Sequence, residues 1–264
     1  GFMPWSDWGN EGVAWQCLGS LIVFVLWGLW IGREHLRRVF RAAAGRRTTL
    51  SSTLTRRYRA AVWGLIGSLA YIAFWFRAAG MTWPVILAFL PALVIITIGI
   101  AKIVAESSLL FIDSPVNAQS FVIQTFGSAA IPQASMAALA MSYAVFRSVD
   151  GLMMPQVAFS SRMADERGVR RGTLYLALAA AVVLTIGVTI ATTIVLGYDE
   201  GALNFQSFAF RRGHTDVYAA LARMSDSAFG PDWYRLGFLG GGAGLMSAVL
   251  AMRTRFANFW LHPV

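Results

Sequence analysis

The sequence predicts an all-α protein: a polytopic transmembrane helix bundle with about five clear spans plus a broken or re-entrant hairpin. Three observations carry that expectation. Of the 264 residues, 57% are hydrophobic and 13% charged, and mean hydropathy is +0.58. A soluble domain has roughly a quarter of its residues charged. Several apolar runs approach the roughly 20 helical residues that cross a bilayer core. The basic residues crowd into the segments between those runs, as loops on the cytoplasmic side of a membrane do.

The first span is Val13 to Ile31. Trp5, Trp8 and Trp15 lie at one end and Trp27 and Trp30 near the other, the aromatic belt expected at two interfaces. Residues 33–59 form a basic cytoplasmic loop. It holds Arg33, Arg37, Arg38, Arg41, Arg46, Arg47, Arg56, Arg57 and Arg59 against Glu34 alone. Within it, Arg37, Arg38 and Arg41 have helical spacing beside Leu36, Val39 and Phe40, a pattern compatible with lying on an anionic leaflet. A plain topology signal is the preferred reading, and it places the N-terminus outside. The second span is Ala60 to Phe76. Arg77 and the turn Ala78-Ala79-Gly80 lead to the third, Met81 to Val104. Pro84 stands in its first turn, where proline is tolerated, and Pro91 inside it predicts a kink.

Residues 105–146 form the broken hairpin. Pro115, Gly127 and Pro132 oppose one straight helix, and Ala134 to Phe146 is too short to span alone. The next loop, Arg147 to Arg171, is again rich in arginine and cytoplasmic by the same rule. The hairpin therefore starts and finishes on one side. Two half-helices dipping in, or two tilted spans meeting near Gly127, both satisfy this. Leu152 to Ser161 is amphipathic and lies at the interface or packs under the bundle. Thr173 to Gly197 is the clearest span. Residues 198–233 form an outer loop with a short amphipathic helix, Asp216 to Phe229. Thr215 is its expected cap, and Val217, Ala220, Leu221 and Met224 form its apolar face. The last span, Tyr234 to Met252, carries Gly240, Gly241, Gly242 and Gly244, small residues that let helices approach closely.

Charge and motifs exclude several functions. The net charge of +9 comes from 21 arginines and Lys102 against 13 acids. Its concentration in inter-span loops points to topology and not to nucleic acid. Cys17 is the only cysteine, so no internal disulfide or cysteine metal site is expected. His35, His214 and His262 stand on separate loops without a second ligand at metal spacing, and no cofactor is implied. There is no phosphate-binding glycine motif and no set of nucleophile, base and orienter, so an enzyme is not expected.

The polar groups of the hairpin are the candidate site: Glu106, Asp113, Asn117 and Gln119, with Ser114, Ser120, Gln124, Gln133 and Ser135 nearby. Charges and amides inside a membrane are expensive and face a cavity or a partner. On one helix, Glu106 and Asp113 would share a face, with Lys102 one turn before Glu106. The leading expectation is a secondary-transporter-like protein moving a small polar solute through a site at a broken helix. The alternative is a non-catalytic membrane subunit scaffolding a larger complex, with membrane lipid, other membrane subunits or a second copy as partners. Ten tryptophans and the glycine-rich last span suit the alternative.

Several pieces carry a family resemblance: Lys102-Ile103-Val104-Ala105-Glu106, the polar break after it, Ala202-Leu203-Asn204-Phe205, and Arg255-Phe256-Ala257-Asn258-Phe259-Trp260-Leu261-His262-Pro263. Together they resemble uncharacterised prokaryotic polytopic membrane proteins of the DUF6785/DUF6784 type. Their layout is also faintly similar to oligopeptide-transporter proteins. The resemblance implies a multi-pass protein of a prokaryotic inner (cytoplasmic) membrane and brings no site residues with it. In that family the Leu-His-Pro run is followed by another apolar span. With no Met at position 1 and no basic leader before the first span, residues 1–264 are expected to be a single membrane domain within a longer chain, without a cleavable signal peptide.

Overall fold

The computed structural model describes residues 11–45, 51–107, 114–146, 153–201, 204–205 and 213–255. These form helices and turns without a strand: α1 Glu11–Ile31, α2 Arg33–Ala43, α3 Ser52–Ala78, α4 Trp83–Ser107, α5 Ala118–Phe126, α6 Gln133–Phe146, α7 Met153–Glu166, α8 Arg171–Leu196, α9 Gly213–Asp226 and α10 Trp233–Arg255. A 3-10 turn, Ser128–Ala130, separates α5 from α6, and a π-helical turn, Gly197–Gly201, follows α8. Five helices are long and apolar enough to cross a membrane: α1, α3, α4, α8 with its π turn, and α10. The chain is a multi-pass, all-α protein.

Element boundaries depart from expectation in two instructive places. α3 starts at Ser52, because the Ser51 hydroxyl accepts the Leu54 N–H at 3.4 Å and caps the helix. Arg56, Arg57 and Arg59 therefore ride on a helix instead of a loop. α9 begins at Gly213, so Thr215 lies inside its first turn and is not the cap. The apolar face of α9 is as expected: Val217, Ala220 and Met224 are buried and Leu221 packs partly against them.

α1, α4 and α10 run parallel. Gly12 faces Phe238, Gly19 faces Leu239 and Ala243, and the Ser20 hydroxyl donates to the Gly242 carbonyl at 3.0 Å, so both numbers rise together. Gly99 of α4 likewise fits Leu21 and Val25 of α1, and Gly28 leaves room for Lys102. We call the end where these three helices begin the head end and the other the tail end. α3 runs the opposite way, joined to α4 through Gly80 at φ 95°. Phe76 and Phe89 then meet edge to face at 5.4 Å.

The hairpin apex lies at the head end. Ala129 N–H donates to the Phe229 carbonyl at 3.1 Å, Phe229 N–H to the Ser128 hydroxyl at 3.0 Å, and Asp232 N–H to the Gln124 carbonyl at 3.0 Å. Thr82, just before α4, donates its N–H to the Ser135 hydroxyl at 2.9 Å. From there α6 descends obliquely. Its last residue, Phe146, packs 6.4 Å from Phe76 and 6.3 Å from Phe89. Phe89 is only about 9 Å along α4 from Trp83 at 1.5 Å per residue. α7 packs along α4 and continues toward the tail end, where Arg162 Nη1 donates to the Ala105 carbonyl. α5 has 9 residues and α6 has 14, so neither leg is a full span by itself, and α7 packs along α4 beyond α6. α7 is thus a packed part of the bundle.

Helices in lipid associate through close packing and not through a hydrophobic drive. The α1–α10 contact shows this. A methyl at Gly242 would overlap the Gln16 carbonyl, and one at Gly19 the Leu239 carbonyl, whereas Gly241 has open space. Gly242→Ala should therefore cost about 1–3 kcal/mol, since backbone cannot yield as a side chain does. Gly241→Ala should change stability by less than about 0.5 kcal/mol. Thermal unfolding of both variants in detergent, followed by circular dichroism, checks the difference.

Candidate functional site

α5 is short because both its ends are fixed. Pro115 precedes it, and Asn117 is extended at φ −83° and ψ 161°. Asn117 does not cap backbone; its Oδ1 accepts the Ser120 hydroxyl at 2.9 Å. At the far end Gly127 has φ +79°, where glycine carries no steric penalty. A Cβ there would also stand 2.6 Å from the Phe229 carbonyl oxygen. Conformation and close approach both demand glycine.

Between these ends α5 turns a polar row inward. Asn117, Gln119, Ser120 and Gln124 are buried, and Ser135 and Ser142 of α6 are buried too. Gln119 has no exposed surface. Its Nε2 donates to the Ser142 hydroxyl at 3.1 Å, and that hydroxyl donates to the Leu139 carbonyl at 2.7 Å. Gln119 Oε1 is buried and has no hydrogen-bond donor among the described residues. Gln119 lies about 12 Å along the chain from the apex at helical rise. On another face of α5, Phe121 stacks on the buried Trp15 at 6.4 Å and lines an apolar groove of about 290 Å³ beside Pro91. The side chains that line that groove are all apolar and offer a polar solute no hydrogen bond.

The four predicted site residues do not form one cluster. Asn117 and Gln119 share the seam. Glu106 is exposed at the tail end of α4, where Lys102 Nζ stands 3.9 Å from its carboxylate. The same ammonium lies 3.9 Å from the centroid of the Phe24 ring, a cation–π contact that shares its charge. Glu106 makes no hydrogen bond or ion pair with Asn117 or Gln119. Asp113 lies outside the described residues, as do Trp5, Trp8, Arg46, Arg47, Arg211, Arg212 and the run from Phe256 to Pro263.

Sequence reasoning missed a charged cluster at the head end. Arg235 is 9% exposed. Its Nη1 bonds Asp232 Oδ2 at 2.8 Å and its Nη2 bonds the Glu11 carboxylate. Asp232 also accepts the Arg235 N–H at 3.1 Å, which makes it the N-cap of α10. The spacing of Asp232 and Arg235 after Gly230-Pro231 was a readable cap signal. The Glu11 contact spans 224 positions and leaves no local trace.

A family model, described as a family of unknown function (DUF6785), matches residues 3–264. No curated protein and no solved structure matches the chain. Neither comparison carries the likeness to oligopeptide transporters.

Removing one member of a buried ion cluster leaves the others uncompensated. Arg235→Gln should therefore lower stability by roughly 3 kcal/mol, the low end of that range because Glu11 is partly open to solvent. Arg235→Lys should recover part of the loss, keeping charge but not the two-pronged geometry. Denaturation midpoints of the two variants in one detergent test the ordering.

Proposed function

The chain belongs to the DUF6785 family of unknown function, and we propose that it is a secondary-transporter-like carrier moving a small polar solute along the α5–α6 seam. The observation that supports this reading is Gln119 Oε1, a fully buried acceptor without a donor among the described residues. Such a group costs about 1–3 kcal/mol. Buried polar groups are otherwise nearly always satisfied, and an exception calls for a water, an ion or a ligand. Broken helices in transporters present side-chain amides and freed backbone at just such interruptions. The seam is uncharged, so Asn117 and Gln119 would recognise hydroxyl, amide or carbonyl groups of the solute. Glu106 would stand toward the tail-side mouth, where Lys102 balances it. The head end would face outward and the tail end the cytoplasm of a prokaryotic inner membrane, following the arginine distribution. The apex hydrogen bonds would then close the outer side. The role is non-catalytic and needs no cofactor.

A second reading has its own support. None of residues 172–196 is buried, and Leu176, Val183 and Val188 lie open along α8. Its main contact outside its own terminal turn is α7. Lipid can cover such a helix, and so can another subunit of a complex that this chain would scaffold.

Vesicles reconstituted with the purified chain, offered labelled amino acids, sugars and polyols, separate the readings. Gln119→Leu should leave the unfolding midpoint close to that of the wild type, because losing the Nε2 bond to Ser142 is offset by removing the unsatisfied Oε1 with little change of volume, and should lower uptake at least about tenfold, as the loss of one charge-free recognition group of about 1.4 kcal/mol does. Glu106→Gln and Asp113→Asn should also depress uptake. Unchanged uptake in all three variants would sink the carrier reading. A stoichiometric protein partner surviving purification from native membrane would favour the scaffold.

A further inference from the structure

The tail end carries a surface that the carrier reading does not use. α2 and the start of α3 pack together there. Ala42 and Ala43 are buried, the Trp63 indole donates to the Ala43 carbonyl at 3.4 Å, and His35 meets the Tyr58 ring edge on at 6.0 Å. This docking uses the side of α2 that bears His35, Ala42 and Ala43. The opposite side bears Arg33, Arg37 and Arg41 at intervals of four, with Arg38 next to them. Arg56, Arg57 and Arg59 extend the field onto α3. All seven are exposed. Arg33 lies 4.9 Å over the Trp30 ring and Arg38 bonds the Glu34 carbonyl. Among the described residues, Arg37, Arg41, Arg56, Arg57 and Arg59 donate to no acceptor.

Apolar side chains border the same field. Phe40 is 53% exposed, and Trp30 and Ile31, at the last turn of α1, are 62% and 65% exposed. α1 is a membrane-spanning helix, and only Gly32 separates it from α2. The field therefore begins where the hydrocarbon ends. Apolar anchors next to free guanidinium forks at that depth match a phospholipid: acyl chains on one side, phosphodiester oxygens on the other.

We infer that the α2–α3 platform is a binding site for anionic phospholipid headgroups, with Arg37, Arg41 and Arg57 as phosphate donors and Phe40 as the chain-side anchor. A nucleic acid would meet the same charge, but it has no use for exposed Phe40, Trp30 and Ile31 beside a spanning helix. The site is independent of the solute seam and stands if that seam carries nothing.

The test titrates the full chain, in neutral detergent, with pyrene-labelled phosphatidylglycerol and with pyrene-labelled phosphatidylcholine, reading quenching of tryptophan emission. The platform predicts tighter binding of phosphatidylglycerol. Arg37→Gln, Arg41→Gln and Arg57→Gln combined should weaken it on the order of a hundredfold, from about fivefold per basic residue. The guanidinium groups of these three make no hydrogen bond or ion pair among the described residues, so the unfolding midpoint should not move. Arg167→Gln, Arg253→Gln and Arg255→Gln combined remove equal charge elsewhere and should alter binding less than about twofold. Equal binding of the two lipids, an equal loss in the second triple variant, or full displacement by inorganic phosphate or by an oligonucleotide at matching concentration would overturn the assignment.

Discussion

Backbone polar groups at membrane depth must find partners inside the protein, and the broken hairpin meets that demand by binding another part of the chain. At the end of α5 the helical ladder stops. The amide of Ala129 and the carbonyl of Gln124 are taken by Phe229 and Asp232, the two residues that bracket the approach to α10. Gly127 lets those backbones touch. Asp232 serves a second purpose there, capping α10 and pairing with Arg235, which reaches Glu11 at the start of α1. One junction thus fixes the apex of the hairpin, the beginning of α10 and the beginning of α1. Without it neither the seam along α5 nor the parallel pair α1–α10 would have a defined height.

The seam and the arginine platform occupy opposite kinds of environment, and the chain treats polar groups accordingly. Along α5 the groups are neutral amides and hydroxyls, which the interior accepts at modest cost when they are paired. At the tail end the groups are guanidinium ions, left outside the bundle on α2, whose buried residues are Ala42 and Ala43, and on the first turns of α3. The boundary between the two regimes is visible at Lys102 and Glu106. There a single ion pair, backed by the Phe24 ring, closes the described part of α4.

Hydropathy and charge made most of the architecture legible. Runs such as Val13 to Ile31 and Thr173 to Gly197 have one stable solution in lipid, a helix, and the observed helices follow them within a few residues. The break was legible too, because proline and glycine act locally. The apex junction was not. Apart from the Ser128 hydroxyl, its donors and acceptors are backbone groups of Gln124, Ala129, Phe229 and Asp232, which no side-chain pattern announces. The site was half legible. Asn117 and Gln119 stood out as amides in an apolar chain and prove buried. Grouping them with Glu106 rested on closeness in sequence around the break, whereas Glu106 ends α4 and Gln119 belongs to α5. Spacing arguments hold within a helix and lapse across a break.

The glycine contact between α1 and α10 has a mechanical side. Where Gly19 and Gly242 bring backbone against backbone, no flexible side chain lies between the helices to absorb a displacement. The pair behaves as a beam with both members pointing the same way. At one end of that beam hangs α2, across the single residue Gly32. At the other, Glu11 holds Arg235 beside the hairpin apex. A stiff beam delivers at one end whatever push or tilt it receives at the other, so α2 and the hairpin apex are joined by a rigid connection through the protein.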